Sequence, residues 1–140
     1  MNAQTWKWSN TCSFASDMAI AHKLIGQVME QLETAEWSTK EKFAIEMVLE
    51  EALVNAVEHG NKFDPDKKVH FVCNLNDNLI SVRIEDEGPG FDPDEVPDPT
   101  DAEHIMEATG RGVLLIRSYA TRVKWNEKGT VLEFEKERSV

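Results

Sequence analysis

Glu51 and Asn55 stand four residues apart in the run Glu50-Glu51-Ala52-Leu53-Val54-Asn55-Ala56-Val57-Glu58-His59-Gly60. On a helix, that spacing puts a carboxylate and a carboxamide on one face, one above the other. The apolar residues Val48, Ala52, Leu53, Ala56 and Val57 lie mostly elsewhere around the same helix. A carboxylate can act as a general base, and a carboxamide oxygen can ligate a hard cation such as magnesium. The same pair would also suit a plain solvated helix face. Two later stretches bear on the choice. Asp86-Glu87-Gly88-Pro89-Gly90 ends a run in which Ile80, Val82 and Ile84 share a strand face, and period two puts Asp86 on that face as well. A carboxylate continuing a buried face is costly unless something donates to it. Thr109-Gly110-Arg111-Gly112 is a glycine-rich turn leading into an apolar helix.

Regular elements must hold these groups. Ser38-Thr39-Lys40-Glu41 matches a capping box and starts a helix expected to run from Thr39 to about Glu58. Gly60 and Asn61 offer the positive φ that ends helices. Before it, alternation of Trp6, Trp8, Cys12 and Phe14 predicts a strand over 5–14. Ser16 then caps a helix in which Ala21, Leu24, Ile25, Val28 and Leu32 recur at helical spacing. After a turn at Asp64-Pro65-Asp66, the residues Val69, Phe71, Cys73 and Leu75 alternate along a strand. Asn76-Asp77-Asn78 turns it into a return strand over 79–86. Four of the five prolines fall between Pro89 and Pro99, so 92–109 reads as an acidic loop with a short helix over 101–108. The apolar helix runs to about Tyr119. Strands over 121–126 and 130–135 follow, joined at Glu127-Lys128-Gly129. The order β-α-α-β-β-loop-α-β-β predicts an α+β fold: a two-layer sandwich, its sheet mixed but mostly antiparallel, with helices on one face.

The 140 residues fit one domain, 1–140, with room for a sizeable core. No apolar run approaches the roughly 18 residues that span a bilayer, and residues 1–8 lack a signal peptide's apolar middle. A cytoplasmic protein is expected, with Cys12 and Cys73 as reduced, packed thiols. A net charge of -11 argues against nucleic acid or an anionic membrane as the main partner. If the ligand is a nucleotide, its phosphates must meet backbone N–H groups, a helix N-terminus or a cation. His22, His70 and His104 have no metal-site spacing. Trp6, Trp8, Trp37 and Trp125 read as packing or interface residues.

Taken in order and at these spacings, the Glu51/Asn55 helix, the Asp86–Gly90 strand end and the Gly110-Arg111-Gly112 helix start resemble the N box and the two glycine boxes of the Bergerat-fold ATPases. That superfamily includes gyrase, the large heat-shock chaperones, histidine kinases and mismatch-repair ATPases. Within it, Glu-Ala-x-x-Asn-Ala-x-x-His-Gly at 51–60 and Gly129-Thr130-x-Leu132 look like the anti-sigma factor serine kinases. The resemblance covers the chain from about Ser38 to its end. It implies ATP with magnesium as cofactors, a sigma factor held inactive, and serine phosphorylation of an anti-anti-sigma (antagonist) protein. It also implies a lid at about 91–109 and a possible homodimer. Asp86 would accept from the exocyclic amine of adenine, selecting it over guanine. Gly88 and Gly90 would let the backbone approach the base. Asn55 would ligate magnesium, and Gly110 and Gly112 would present backbone N–H groups to phosphate. Glu51 would take the proton from the attacking hydroxyl. Arg111 either contacts phosphate or points to water, and Thr130 either reads the adenine or is an ordinary strand residue.

The chain departs from that pattern in three places. His22 stands about where the family carries a docking arginine, Val54 replaces a hydroxyl residue, and the lid is acidic. A second expectation is therefore an ATP-binding regulator that holds a partner without phosphotransfer. A detached histidine-kinase catalytic domain fits less well, for want of a dimerisation helix pair with a phosphorylatable histidine.

Overall fold

A computed structural model of the chain describes residues 5–90 and 108–139, with side chains from Gly112 onward in the second span. The expected lid and the short helix over 101–108 lie almost wholly outside the described residues. The elements are β1 (Trp8–Ala15), α1 (Met18–Thr34), α2 (Thr39–Val54), a π-helical segment (Asn55–Gly60), β2 (Lys68–Leu75), β3 (Leu79–Glu85), α3 (Ala108–Tyr119), β4 (Arg122–Trp125) and β5 (Val131–Glu137).

The strands form one sheet in the order β1-β2-β3-β5-β4. Every pairing among the described strands is antiparallel, where a mixed sheet was expected. Two of the pairings are hairpins, β2/β3 and β4/β5, and a hairpin can only pair antiparallel. The connections through the helices leave β1 opposite in direction to its neighbour β2, and β5 opposite to its neighbour β3. Alternation puts Val69, Phe71, Cys73 and Leu75 of β2 and Ile80, Val82 and Ile84 of β3 on one face, all buried. That face packs in a single core with Leu24, Val28 and Leu32 of α1, Ile45, Leu49 and Leu53 of α2, and Ile116 of α3. The other face carries ion pairs of Arg83 with Glu85 and Glu133, and of Arg122 with Glu135 and Glu137. This is an antiparallel sheet with one dry face and one wet face, hence the two layers.

The α2 cap is as expected. Ser38 Oγ accepts from the Glu41 N–H at 3.1 Å and donates to Glu41 Oε1 at 3.0 Å. The α1 cap is not Ser16 but Asp17, whose extended backbone lets Oδ1 accept from the Ala19 N–H at 2.8 Å. Ser16 is buried instead. Its hydroxyl donates to the Lys67 carbonyl and accepts from Asn61 Nδ2.

The end of the long helix also differs. It passes into a π-helical turn at Asn55, an irregularity frequent at functional sites. Neither Gly60 nor Asn61 has a positive φ, and Asn61 sits at -84°. The left-handed residues come one step later, at Lys62 (52°) and Phe63 (59°). The π turn uses an extra residue per turn and so postpones the reversal of the chain.

Candidate functional site

Ala52, Asn55, Ala56, His59 and Gly60 lie along one side of α2 and its π continuation. With Ile84, Asp86, Gly90, Trp125, Gly129, Thr130 and Leu132 they line a cavity of about 150 Å³. A single water needs only about 10–15 Å³ of such volume, so this space suits a flat organic group. Its walls are mostly apolar, with the Asp86 carboxylate among its few polar groups.

Asp86 follows β3 and is held from both sides. Its N–H donates to the Thr130 carbonyl at 2.9 Å, and its Oδ1 accepts from the Gly88 N–H at 2.9 Å. Burial raises its pKa, the Gly88 N–H partly opposes that, and nearby Glu85 adds to the rise. Gly60 makes room for it: a Cβ there would stand 2.6 Å from Asp86 Cγ. Asn61, 1 % exposed, pins the same strand end. Its Oδ1 accepts from the Glu87 N–H at 2.8 Å, while Nδ2 donates to Ser16 Oγ and the Lys68 carbonyl.

The two glycines after Asp86 are placed differently from each other. Gly90, at φ 84°, lines the cavity, and a Cβ on it would meet the Lys128 carbonyl oxygen at 1.9 Å. Gly88 is not among the cavity's lining residues. It abuts the Gly60 backbone, where a Cβ would lie 2.0 Å from the carbonyl oxygen. Gly88 thus lets two backbone segments meet.

The glycine-rich start of α3 comes directly against α2. A Cβ on Gly112 would lie 3.0 Å from both Asn55 Nδ2 and Glu51 Oε2. Gly110 is the third described residue of α3 and Gly112 the fifth, four past Ala108 and so inside the ladder. Gly112 therefore supplies clearance for the Glu51/Asn55 pair more than a donor for an anion. The backbone of Arg111 lies between them, and its side chain is outside the described residues.

Asn55 Oδ1 is buried and accepts no hydrogen bond among the described residues. A buried acceptor without a donor costs about 1–3 kcal/mol, a cost that a cation ligand removes. Among the described residues no group of three or more His, Cys, Asp or Glu side chains converges to hold a metal. A magnesium ion here would take few ligands from the protein and the rest from phosphate oxygens and water, its usual habit. The residues present fit magnesium–nucleotide on those terms.

Three residues in or beside the cavity wall stand apart from the sequence reading. Trp125 packs against the core as expected, yet it also lines the cavity, with the Arg117 guanidinium carbon 5.2 Å from its ring centroid. His59, expected at a helix end, lines the cavity too, and its Nε2 is buried without a partner among the described residues. Asn61, read as a helix stop, is a buried hub. Alternation along 121–126 could have signalled Trp125, since period two puts it with Val123 on the inner face. Nothing in the local sequence signals that Asn61 reaches two strands.

The chain matches the family model for the histidine kinase-like ATPase domain over residues 14–136. It is 30% identical over 132 residues to an anti-sigma F factor of Oceanobacillus iheyensis, covering 91% of this chain and 88% of that one. An anti-sigma F factor of Halalkalibacterium halodurans is 27% identical over 108 residues, 76% of this chain and 72% of the relative. The serine/threonine-protein kinase BtrW of Bordetella bronchiseptica is 29% identical over 98 residues, 64% and 69% of the two chains. A family match spanning most of the chain, on an α+β sandwich whose long helix and β3 strand end line one cavity, makes this protein a member of the histidine kinase-like ATPase domain family.

Proposed function

We propose that the protein is a single-domain, magnesium- and ATP-dependent serine/threonine kinase of the anti-sigma type. In this reading it holds a sigma factor inactive and phosphorylates a serine on an antagonist protein. The observation that carries the reading is the contact at Gly112. There the Glu51 carboxylate and the Asn55 carboxamide both meet the start of α3, at the edge of the base-sized cavity. A base, a cation ligand and a phosphate-facing helix start are the parts a phosphoryl transfer needs, since such catalysis is mostly positioning and charge stabilisation.

Asp86 accepts from the adenine amine at the inner end of the cavity, and Thr130 stands beside it. Gly90 gives the base its close backbone wall. Asn55 Oδ1 would ligate magnesium, which when bound would neutralise phosphate charge. The N–H of Gly110 faces the anion at the helix N-terminus, with Arg111 as a neighbouring cation. Glu51 takes the proton from the partner's serine hydroxyl. The serine oxygen forms a bond to the γ-phosphorus, the bond from that phosphorus to the β–γ bridging oxygen breaks, and ADP leaves with the electron pair. Dimerisation belongs to the same reading and is checked by mass in solution.

One observation favours the regulator that binds without phosphotransfer. His22, at the family's docking position, lies with Nε2 3.1 Å from Glu50 Oε1, engaged with α2 of its own chain. Labelled ATP with magnesium, a candidate antagonist protein, and the variants Glu51→Ala and Asn55→Ala separate the readings. The kinase reading expects transfer by the wild type and none by either variant, with ATP still bound by Glu51→Ala. ATP binding without transfer by the wild type leaves the regulator, and no ATP binding removes both.

A further inference from the structure

The turn between β4 and β5 sets the polarity of a hydroxyl at the cavity. Asn126 Oδ1 accepts from the Thr130 N–H at 2.9 Å and the Val131 N–H at 3.1 Å. Two backbone donors on one end of a carboxamide identify that end as oxygen. The other end, Nδ2, therefore faces Thr130 Oγ1, 3.0 Å away. An amide nitrogen can only donate, so it occupies a lone pair of this hydroxyl. The O–H of Thr130 is left to donate elsewhere. Thr130 lines the cavity with Asp86, and the two are tied by the bond from the Asp86 N–H to the Thr130 carbonyl. The cavity wall thus carries an acceptor, the Asp86 carboxylate, and, on Thr130, a hydroxyl whose proton is free to donate.

We propose that Asn126 is a positioning residue for base selection. By holding Thr130 as a donor, it completes an acceptor–donor pair that matches adenine, whose C6 amine donates and whose N1 accepts. The same pair mismatches hypoxanthine and guanine, where the C6 oxygen accepts and N1–H donates. The inference rests on the nucleotide-site reading above and assigns selectivity to a side chain that need not touch the base.

Asn126→Asp tests it at nearly constant shape. One aspartate oxygen still accepts from the two backbone N–H groups. The other accepts where Nδ2 donated, so the Thr130 O–H turns toward it and away from the base. Calorimetry with magnesium–ATP and magnesium–ITP, which differ at C6 and N1 alone, reads the outcome in wild type, Asn126→Asp, Thr130→Val and the double variant. The wild type is expected to favour ATP. Asn126→Asp should narrow that preference by about tenfold, the worth of one hydrogen bond, chiefly by weakening ATP. Thr130→Val should narrow it similarly, and the double variant no further. A merely structural turn would lower both affinities by one factor and leave the preference intact, which overturns the inference, as does unaltered binding. A wild type that binds neither nucleotide overturns the nucleotide reading itself, and the inference with it.

Discussion

A methyl group on Gly60 would stand 2.6 Å from Asp86 Cγ and 2.7 and 2.8 Å from its two oxygens. Carbon atoms pack best at about 3.5–4.0 Å, so in Gly60→Ala the carboxylate must retreat by roughly 1 Å. The bond it accepts from the Gly88 N–H, 2.9 Å long, then opens beyond hydrogen-bonding distance. Overpacking of this kind costs about 1–3 kcal/mol, and a lost hydrogen bond to a charged group about 1.5–3 kcal/mol. Gly60 has no positive φ, so alanine meets no backbone strain. Its better helix propensity offsets about 0.5–1 kcal/mol. The net loss should be about 1.5–5.5 kcal/mol, or roughly 5–20 °C in melting temperature. Magnesium–ATP affinity should fall by about tenfold or more, because the acceptor for the adenine amine has moved. Thermal melts and calorimetry measure both effects. In an Asp86→Ala background the clash disappears, and Gly60→Ala should then cost little, a coupling that a double-mutant cycle reads directly. A Gly60→Ala protein that melts and binds like the wild type, or one equally destabilised in both backgrounds, would refute the assignment of Gly60 as the seat of Asp86.

Three further outcomes are expected. Burial raises the Asp86 pKa above 3.8, so the folded carboxyl resists ionisation. The wild type therefore loses stability as pH rises from that ordinary value through the raised one, and Asp86→Asn does not. The melting difference in favour of Asp86→Asn should grow over that range and then level off, and Asp86→Asn should bind magnesium–ATP more weakly than the wild type; a pH-independent melting difference would contradict the burial argument. Asn61→Ala should cost about 2–4 kcal/mol in urea titrations, because it strips the Glu87 N–H and two oxygens of their buried partner. A loss under 1 kcal/mol would make Asn61 a bystander. Trp125→Ala should weaken ATP by about 5- to 150-fold if the indole stacks on the base, as aromatic–base contacts are worth about 1–3 kcal/mol. Trp125→Phe should remove most of the ATP-induced change in tryptophan emission although Trp6, Trp8 and Trp37 remain. Wild-type emission that ATP leaves unaltered would take Trp125 off the base wall.

Periodicity determined much of this protein without tertiary information. The alternation along β2 and β3, the capping box at Ser38 and the turn at Asn76-Asp77-Asn78 are local features, and they stand as read. Asn76 Oδ1 accepts from the Asn78 and Leu79 N–H groups within the turn itself. The placement of Asp86 at the end of a buried strand face followed from period two alone. Local choices with near-equal energies were decided by the fold. Ser16 and Asp17 can each cap α1, and the demand of buried Asn61 for a partner drew Ser16 inward. Gly60 read as a φ residue and proved to be a clearance residue, because its constraint comes from Asp86, 26 positions away in the chain. Gly112 likewise read as a donor for phosphate, yet a side chain there would meet Glu51 of α2 and Asn55 of the π-helical turn. Trp125, Asn61 and Asn126 carried no motif, since their partners are long-range or depend on the shape of one turn. The sequence by itself determined which chemistry this chain carries, because side-chain type and spacing along one element are local. Only the tertiary structure decided which backbone must stay bare beside it, because that depends on atoms brought together from β3, α2 and α3.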